Sequence, residues 1–282
     1  MTVENPTPAK ADARSELTLR ILSAAVLAPL ALVTAYLGGW PFVTFWTVAA
    51  CGIMWEWRKI VAQPDDMFGI AGEFTIALAG ACVLLGLGAS MVPFIGLGAV
   101  VVGIGARTNP LRLWAAAGVL YAGSLLFACV LLRENPSDGF VAMIFLFGVV
   151  WATDICGYFV GRFVGGPKLW ARVSPKKTWS GAVGGALGAI VAALAVARYG
   201  DLTNSLAIAR LALLLSVVSQ AGDLFESAFK RRFGIKDAGH VIPGHGGLMD
   251  RLDGFVAAAV VAVVIGITRG GLAAPARGLL VW

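Results

Sequence analysis

The segment KDAGHVIPGHGGLMDRLD, residues 236–253, gathers both histidines and three of the sixteen acids into a sequence otherwise dominated by Leu, Val, Ala and Gly. Carboxylates beside glycines and basic residues suit a hard divalent ion with phosphates, because Mg²⁺ takes oxygen ligands and keeps several waters. Zinc fits poorly: His240 and His245 have no cysteine nearby, and a zinc site needs three or four His or Cys ligands. The glycines of GHGG let backbone approach a ligand closely, although a glycine-rich turn between helices reads the same way.

Two further acids interrupt apolar runs. Asp154, in VVWATDICGYFVGRF, precedes Arg162 by eight residues, and Asp223, in LSVVSQAGDLFESAFKRRF, precedes Lys230 by seven. The helical rise puts them about 12 and about 10 Å from the basic ends of their helices, and Asp250 lies near the same boundary. Acids inside membrane helices are costly and mark function, so three carboxylates at one depth define a candidate site. Ser216, Ser219, Asp223, Ser227 and Lys230 recur at intervals of three or four and share one helix face. Helix packing with serines as glue is the competing reading, and Asp223 and Glu226 weigh against it.

The stretch GRFVGGPKLWARVSPKKTWSGAVGG brings Lys168, Arg172, Lys176 and Lys177 ahead of a glycine-rich helix. Ser174 is the expected N-cap, with Pro175 at the first helical position. Lysines over such a start form an anion site, since free amides and the helix dipole favour phosphate. Ordinary positive loop charge is the alternative. Gly184, Gly185 and Gly188 read as allowing close helix packing.

These residues must be held by membrane helices. The chain is 59% hydrophobic and 13% charged, with mean hydropathy +0.83, which excludes an ordinary globular domain. Backbone in lipid must be satisfied within a segment, and the period-2 alternation of a barrel is absent, so the apolar runs predict an all-α polytopic integral membrane protein. About nine transmembrane helices are expected, over 17–37, 41–60, 70–89, 91–106, 112–132, 140–162, 180–198, 204–229 and 254–268, or eight if the third and fourth are one re-entrant pair. Residues 1–16, rich in charge and proline, read as a disordered cytosolic tail rather than a signal peptide. Residues 17–139 then form an N-terminal helical region. Residues 140–268 form a catalytic region with cytosolic loops 163–179 and 230–253, and 269–282 a short tail. With the N-terminus cytosolic, seventeen of the 22 Lys and Arg fall inside. Only Arg133, Arg198, Arg269 and Arg277 fall outside, and Arg210 lies within a span. Cys51, Cys82, Cys129 and Cys156 each lie in an apolar run and read as small buried hydrophobes. No internal repeat is evident, which disfavours a transporter built from duplicated halves.

SAFKRRFGIKDAGHVIPGHGGLMDRLD, Ser227 to Asp253, resembles without a gap the signature of phosphatidate cytidylyltransferases, the CDP-diacylglycerol synthases. The pattern is met by Ser227, Lys230, Arg231, Lys236, Asp237, His245, Gly246, Gly247, Asp250, Arg251 and Asp253. Upstream, WATDICGYFVGRFVGGPKLWARVSPKKTWSG is also similar to the family, so the likeness covers roughly 150–255, with Glu56 in MWEWRK a candidate further match. The resemblance implies transfer of CMP from CTP to phosphatidate in the inner membrane, with the active site on the cytosolic side. It also implies Mg²⁺ in a paired metal centre with a second cation, a homodimer, and no nucleic-acid partner. By the same resemblance Asp223 and Asp250 hold metal, and Lys230, Arg251, Lys236, Asp237 and His245 are catalytic. Substrate binding falls to Ser174, Lys176, Lys177, Thr178, Ser227, Arg231, Gly246, Gly247 and Asp154. A CTP-dependent lipid kinase and an ion-coupled transporter are the rival readings; the missing repeats and the His-Gly-Gly turn weigh against the second.

Overall fold

The computed structural model describes residues 25–61, 67–88, 91–105, 112–239 and 246–282. Helix α1 spans Ala25–Leu37. It is followed by α2 (Gly39–Val61), α3 (Met67–Leu84), α4 (Met91–Gly105), α5 (Arg112–Glu134) and α6 (Gly139–Val164). A short hairpin, β1 (Lys168–Trp170) and β2 (Ser174–Thr178), leads into α7 (Trp179–Tyr199), α8 (Ser205–Arg232), α9 (Met249–Gly270) and α10 (Pro275–Leu280). Nine of these helices stand where the apolar runs predict them, and α10 is an addition. Helices α5 to α9 are long and apolar enough to cross a membrane, as expected of a multi-pass membrane protein. The third and fourth expected spans are distinct helices; α4, with 15 residues, extends about 22 Å, short of the roughly 30 Å hydrocarbon core. Residues 1–24, which include the expected tail, lie outside the described residues.

Helices α2–α5 pack on one another, as do α6–α9, and contacts of α5 and α2 with α9 join the two groups. Lipid gives helices no hydrophobic reason to associate, so cohesion depends on close packing and interhelical hydrogen bonds. Trp46 of α2 stacks against Phe255 of α9 and Phe147 of α6, with centroids 5.1 and 6.2 Å apart. Trp57 of α2 stacks on Phe229 of α8 at 4.1 Å and donates its indole N–H to the Trp114 carbonyl at 2.7 Å. At the opposite end of the bundle, Arg133 donates to the carbonyls of Ala35 and Tyr36, and Arg269 to those of Gly278 and Val281.

Along α6 and α7 part of the contact is backbone on backbone. A Cβ on Gly181 would lie 2.7 Å from the Gly157 carbonyl oxygen, and one on Gly185 would lie 2.6 Å from that of Thr153. Gly184 and Gly188 instead receive the side chains of Val160 and Cys156, so the packing role expected of these glycines is the one they have. The four cysteines are unbonded and buried or half-buried, as small hydrophobes are.

The hairpin corrects the expected helix start. Ser174 and Pro175 belong to β2, which pairs antiparallel with β1 through Trp170↔Ser174 and Lys168↔Thr178. The helix begins at Trp179, and its N-cap is Thr178, whose hydroxyl accepts from Gly181 N–H at 3.1 Å. Strand pairing runs from Ser174 to Thr178, so the cap falls to the last strand residue, four positions after Ser174. Ser180 adds a hydrogen bond to the Gly165 carbonyl, tying the helix start to the end of α6.

Candidate active site

The C-terminal ends of α2, α6 and α8, the N-terminal ends of α7 and α9, and the hairpin meet at one end of the bundle. Asp223 forms an ion pair with Lys177 of β2. Side chains alternate across a strand, so while Lys177 reaches α8, its neighbour Lys176 points to the other face and is exposed. Asp154 of α6 lies within electrostatic reach of Asp223, Lys177 and Arg251. Asp253 of α9 lies within reach of Asp223, Asp154 and Lys177. The α8–α9 crossing explains this grouping: a Cβ on Gly222 would lie 2.8 Å from the Asp253 carbonyl oxygen, so Asp223 is level with Asp253.

Asp250 has different partners, nearer the mouth. Its carboxylate accepts from Lys230 at 2.6 Å, Gly247 N–H at 2.9 Å and Ala238 N–H at 3.1 Å. Lys230 also pairs with Glu226 at 2.7 Å, in an arrangement whose side chains are all at most 12% exposed. Helix α9 starts at Met249, five residues before the apolar run implied, which places Asp250 in its first turn. Removing the Lys230 charge from this trio would leave two buried carboxylates uncompensated, a costly outcome.

The serine stripe of α8 divides between the two readings. Ser216 accepts from Thr153 at 2.8 Å and from Gln220 at 3.3 Å, which is the glue function. Ser219 is buried with an unpartnered hydroxyl, as is one oxygen of Glu226, and Asp223 and Lys230 turn to the site. Of the remaining expected residues, Thr178 is buried in its capping role, and Ser227 is half-buried. Arg231 is exposed and donates to the Ile235 carbonyl, and Lys236, Asp237 and Arg251 are exposed. Gly246 has φ +86°, a conformation that favours glycine. Gly247 is closely approached, but by Glu56 of the chain itself: a Cβ there would lie 2.8 Å from the Glu56 carboxylate. His240 and His245 lie outside the described residues.

The donors fit a hard cation by their chemistry. Asp154, Asp223 and Asp253 surround Lys177, Asp250 stands nearer the mouth beside Lys230, and the ligating atoms of all four are oxygen, the set Mg²⁺ takes. Among the described residues no three His, Cys, Asp or Glu already converge to cage an ion; the ammonium groups of Lys177 and Lys230 are the present counter-ions.

A family model described as "Cytidylyltransferase family" matches residues 18–268. The chain belongs to that family. It is 41% identical over 254 residues to the phosphatidate cytidylyltransferase of Brucella suis biovar 1 (strain 1330), covering 89% of this chain and 94% of the relative. The same figures hold for the phosphatidate cytidylyltransferase of Brucella melitensis biotype 1. That of Staphylococcus saprophyticus is 43% identical over 126 residues, 44% of this chain and 48% of the relative.

In this cytidylyltransferase-family chain three acids at the site have no role assigned from the sequence: Glu226, and Glu56 and Asp253, which enter there only as matches to the family pattern. Each carried a legible signal. Glu56 and Glu226 are acids within hydrophobic stretches, the feature that singled out Asp154 and Asp223. Asp253 follows Asp250 by three positions, which on a helix places both on neighbouring faces.

Proposed function

We propose that this chain transfers the cytidylyl group of CTP to phosphatidate, forming CDP-diacylglycerol and pyrophosphate. Family membership over residues 18–268 carries the reading, and the paired acid and lysine sets supply chemistry suited to it. The phosphate oxygen of phosphatidate attacks the α-phosphorus of CTP, and the bond from that phosphorus to the β-bridging oxygen breaks to release pyrophosphate. The nucleophile is already anionic near neutral pH, so the step needs positioning and charge neutralisation rather than a strong base. Lys177 and Lys230, each held by a carboxylate, offer ammonium groups that can turn to phosphate oxygens. Arg251 adds a third cation beside Asp154. Asp154 is exposed on α6 beside Ile155, Tyr158 and Phe159, themselves exposed. That apolar surface suits a head group arriving sideways from the bilayer.

Mg²⁺, held by Asp223 and Asp250 with a second cation beside it, would polarise the CTP phosphates and neutralise charge on the leaving group. The same reading makes the protein a homodimer of about nine-span protomers in the cell membrane, with the N-terminus and the site cytosolic. In support, the basic residues Arg162, Lys168, Arg172, Lys176, Lys177 and Lys230 all stand at the site end of the bundle. The test is purified protein with phosphatidate and CTP labelled at the α- or γ-phosphate. Label from the α-position alone should enter lipid; γ-label in lipid would instead identify a kinase, and no transfer from either would refute the activity.

A further inference from the structure

We infer that Glu56 is a positioning residue for this site, fixing from α2 the backbone that carries Asp250 and Asp253. Its carboxylate is fully buried, at 0% exposure. One oxygen accepts from Leu248 N–H at 2.8 Å and the other from Met249 N–H at 2.7 Å. The N-cap residue of α9, Leu248, has no side chain able to cap, so the helix start is closed by a residue 192 positions away in sequence. Asp250 takes the preceding amide, that of Gly247. Three consecutive amides at this helix start, those of Gly247, Leu248 and Met249, are therefore filled by two carboxylates of the chain itself.

The glycines follow from the same contact. A Cβ on Gly239 would lie 2.9 Å, and one on Gly247 2.8 Å, from the Glu56 carboxylate oxygens. Trp57, next in sequence, is clamped by Phe229 and by the Trp114 carbonyl, so Glu56 rides on a segment packed against the helix that bears Asp223. One rigid contact thus sets the level of the acids of α9 against those of α8.

The inference rests on the proposed transfer reaction for its activity readout, and on amide exchange for an independent one. Glu56→Gln keeps the shape but leaves only one acceptor oxygen for two amides. Its turnover should fall roughly 10- to 100-fold, the scale of a misplacement near 1 Å. The KM for CTP should stay within about threefold and the half-activating Mg²⁺ concentration should rise several-fold. A smaller fraction of folded protein would lower the maximal rate alone. Hydrogen exchange without nucleotide should be slow across 246–252 in the unmodified protein and faster in Glu56→Gln. Unchanged turnover and Mg²⁺ response in folded Glu56→Gln would overturn the inference. If that variant does not accumulate, the unmodified protein decides it: exchange at Leu248 and Met249 as fast as in an unstructured peptide overturns the contact, and protection upholds it. An unmodified protein that makes no CDP-diacylglycerol would refute the transfer reaction while leaving the exchange result to decide the contact.

Discussion

Lys176 and Lys177 are adjacent, identical in type and equally charged, yet the strand puts them on opposite faces, and they should behave differently. Lys177 pairs with Asp223, both side chains being a little over a quarter exposed, at 28% and 29%. A pair so open to solvent contributes at most about 1 kcal/mol to stability, so Lys177→Ala should fold with a melting temperature close to that of the unmodified protein. Its cost should appear in catalysis instead. A charge-assisted contact to phosphate contributes roughly 1.5–3 kcal/mol, which corresponds to a loss of about ten- to hundredfold in kcat/KM for CTP. Lys176→Ala removes an exposed cation pointing away from Asp223 and should stay within about twofold. The assay is CDP-diacylglycerol formation by purified protein over a CTP series at saturating phosphatidate. Equal losses in the two variants, or a larger loss in Lys176→Ala, would refute the assignment of faces.

Asp223→Asn and Asp250→Asn preserve size and remove charge, so each should insert and fold yet lose a hundredfold or more in product formation if cation positioning supplies several kcal/mol; near-normal activity at limiting Mg²⁺ in either folded variant would rule out a shared metal. Gly185→Ala drives a methyl group toward the Thr153 carbonyl and should destabilise by about 1–3 kcal/mol, read as a lower melting temperature in detergent; an unchanged value would mean that the seam can open without cost. A single cysteine at the exposed position Ala171, in a background lacking the four native cysteines, should resist impermeant thiol reagents added to intact cells, and efficient labelling would reverse the proposed orientation.

The helical architecture was legible because spanning segments must be long, apolar and internally hydrogen-bonded, and few other patterns meet those demands. The site was legible as a set of misplaced acids, and Asp154, Asp223 and Asp250 do gather at one end of the bundle. Their pairing was not legible. Whether Asp223 lies level with Asp250 or Asp253 depends on the axial offset of α8 against α9, which Gly222 and Gly254 decide by letting backbones touch. The hairpin was hidden for another reason: Ser-Pro before lysines and a glycine-rich helix has the composition of a helix start, and only pairing with Lys168–Trp170, a tertiary event, claims those residues for a strand. Glu56 stood beside Arg58 and Lys59, where a local ion pair is the simplest reading; its partners are backbone amides far along the chain, which no local pattern announces.

The seam between α6 and α7 has no side chains on the α7 side at Gly181, Gly184, Gly185 and Gly188, and a smooth bearing has a weakness that an interlocked one lacks. Ridges that fit into grooves resist sliding along the helix axis as well as separation, whereas glycine facing glycine resists mainly approach. The stop against sliding falls to the short connection between the two helices, where Thr178 and Ser180 latch α7 to its own strand and to the end of α6. One residue inserted at the tip of the hairpin, near Arg172, would leave that latch in place. One residue inserted between Thr178 and Ser180 would let α7 shift by about 1.5 Å against the strand that carries Lys177, while every transmembrane segment kept its hydropathy. The chain is thus tolerant of length in the turn and intolerant of it at the latch, a distinction of mechanical linkage that composition does not record.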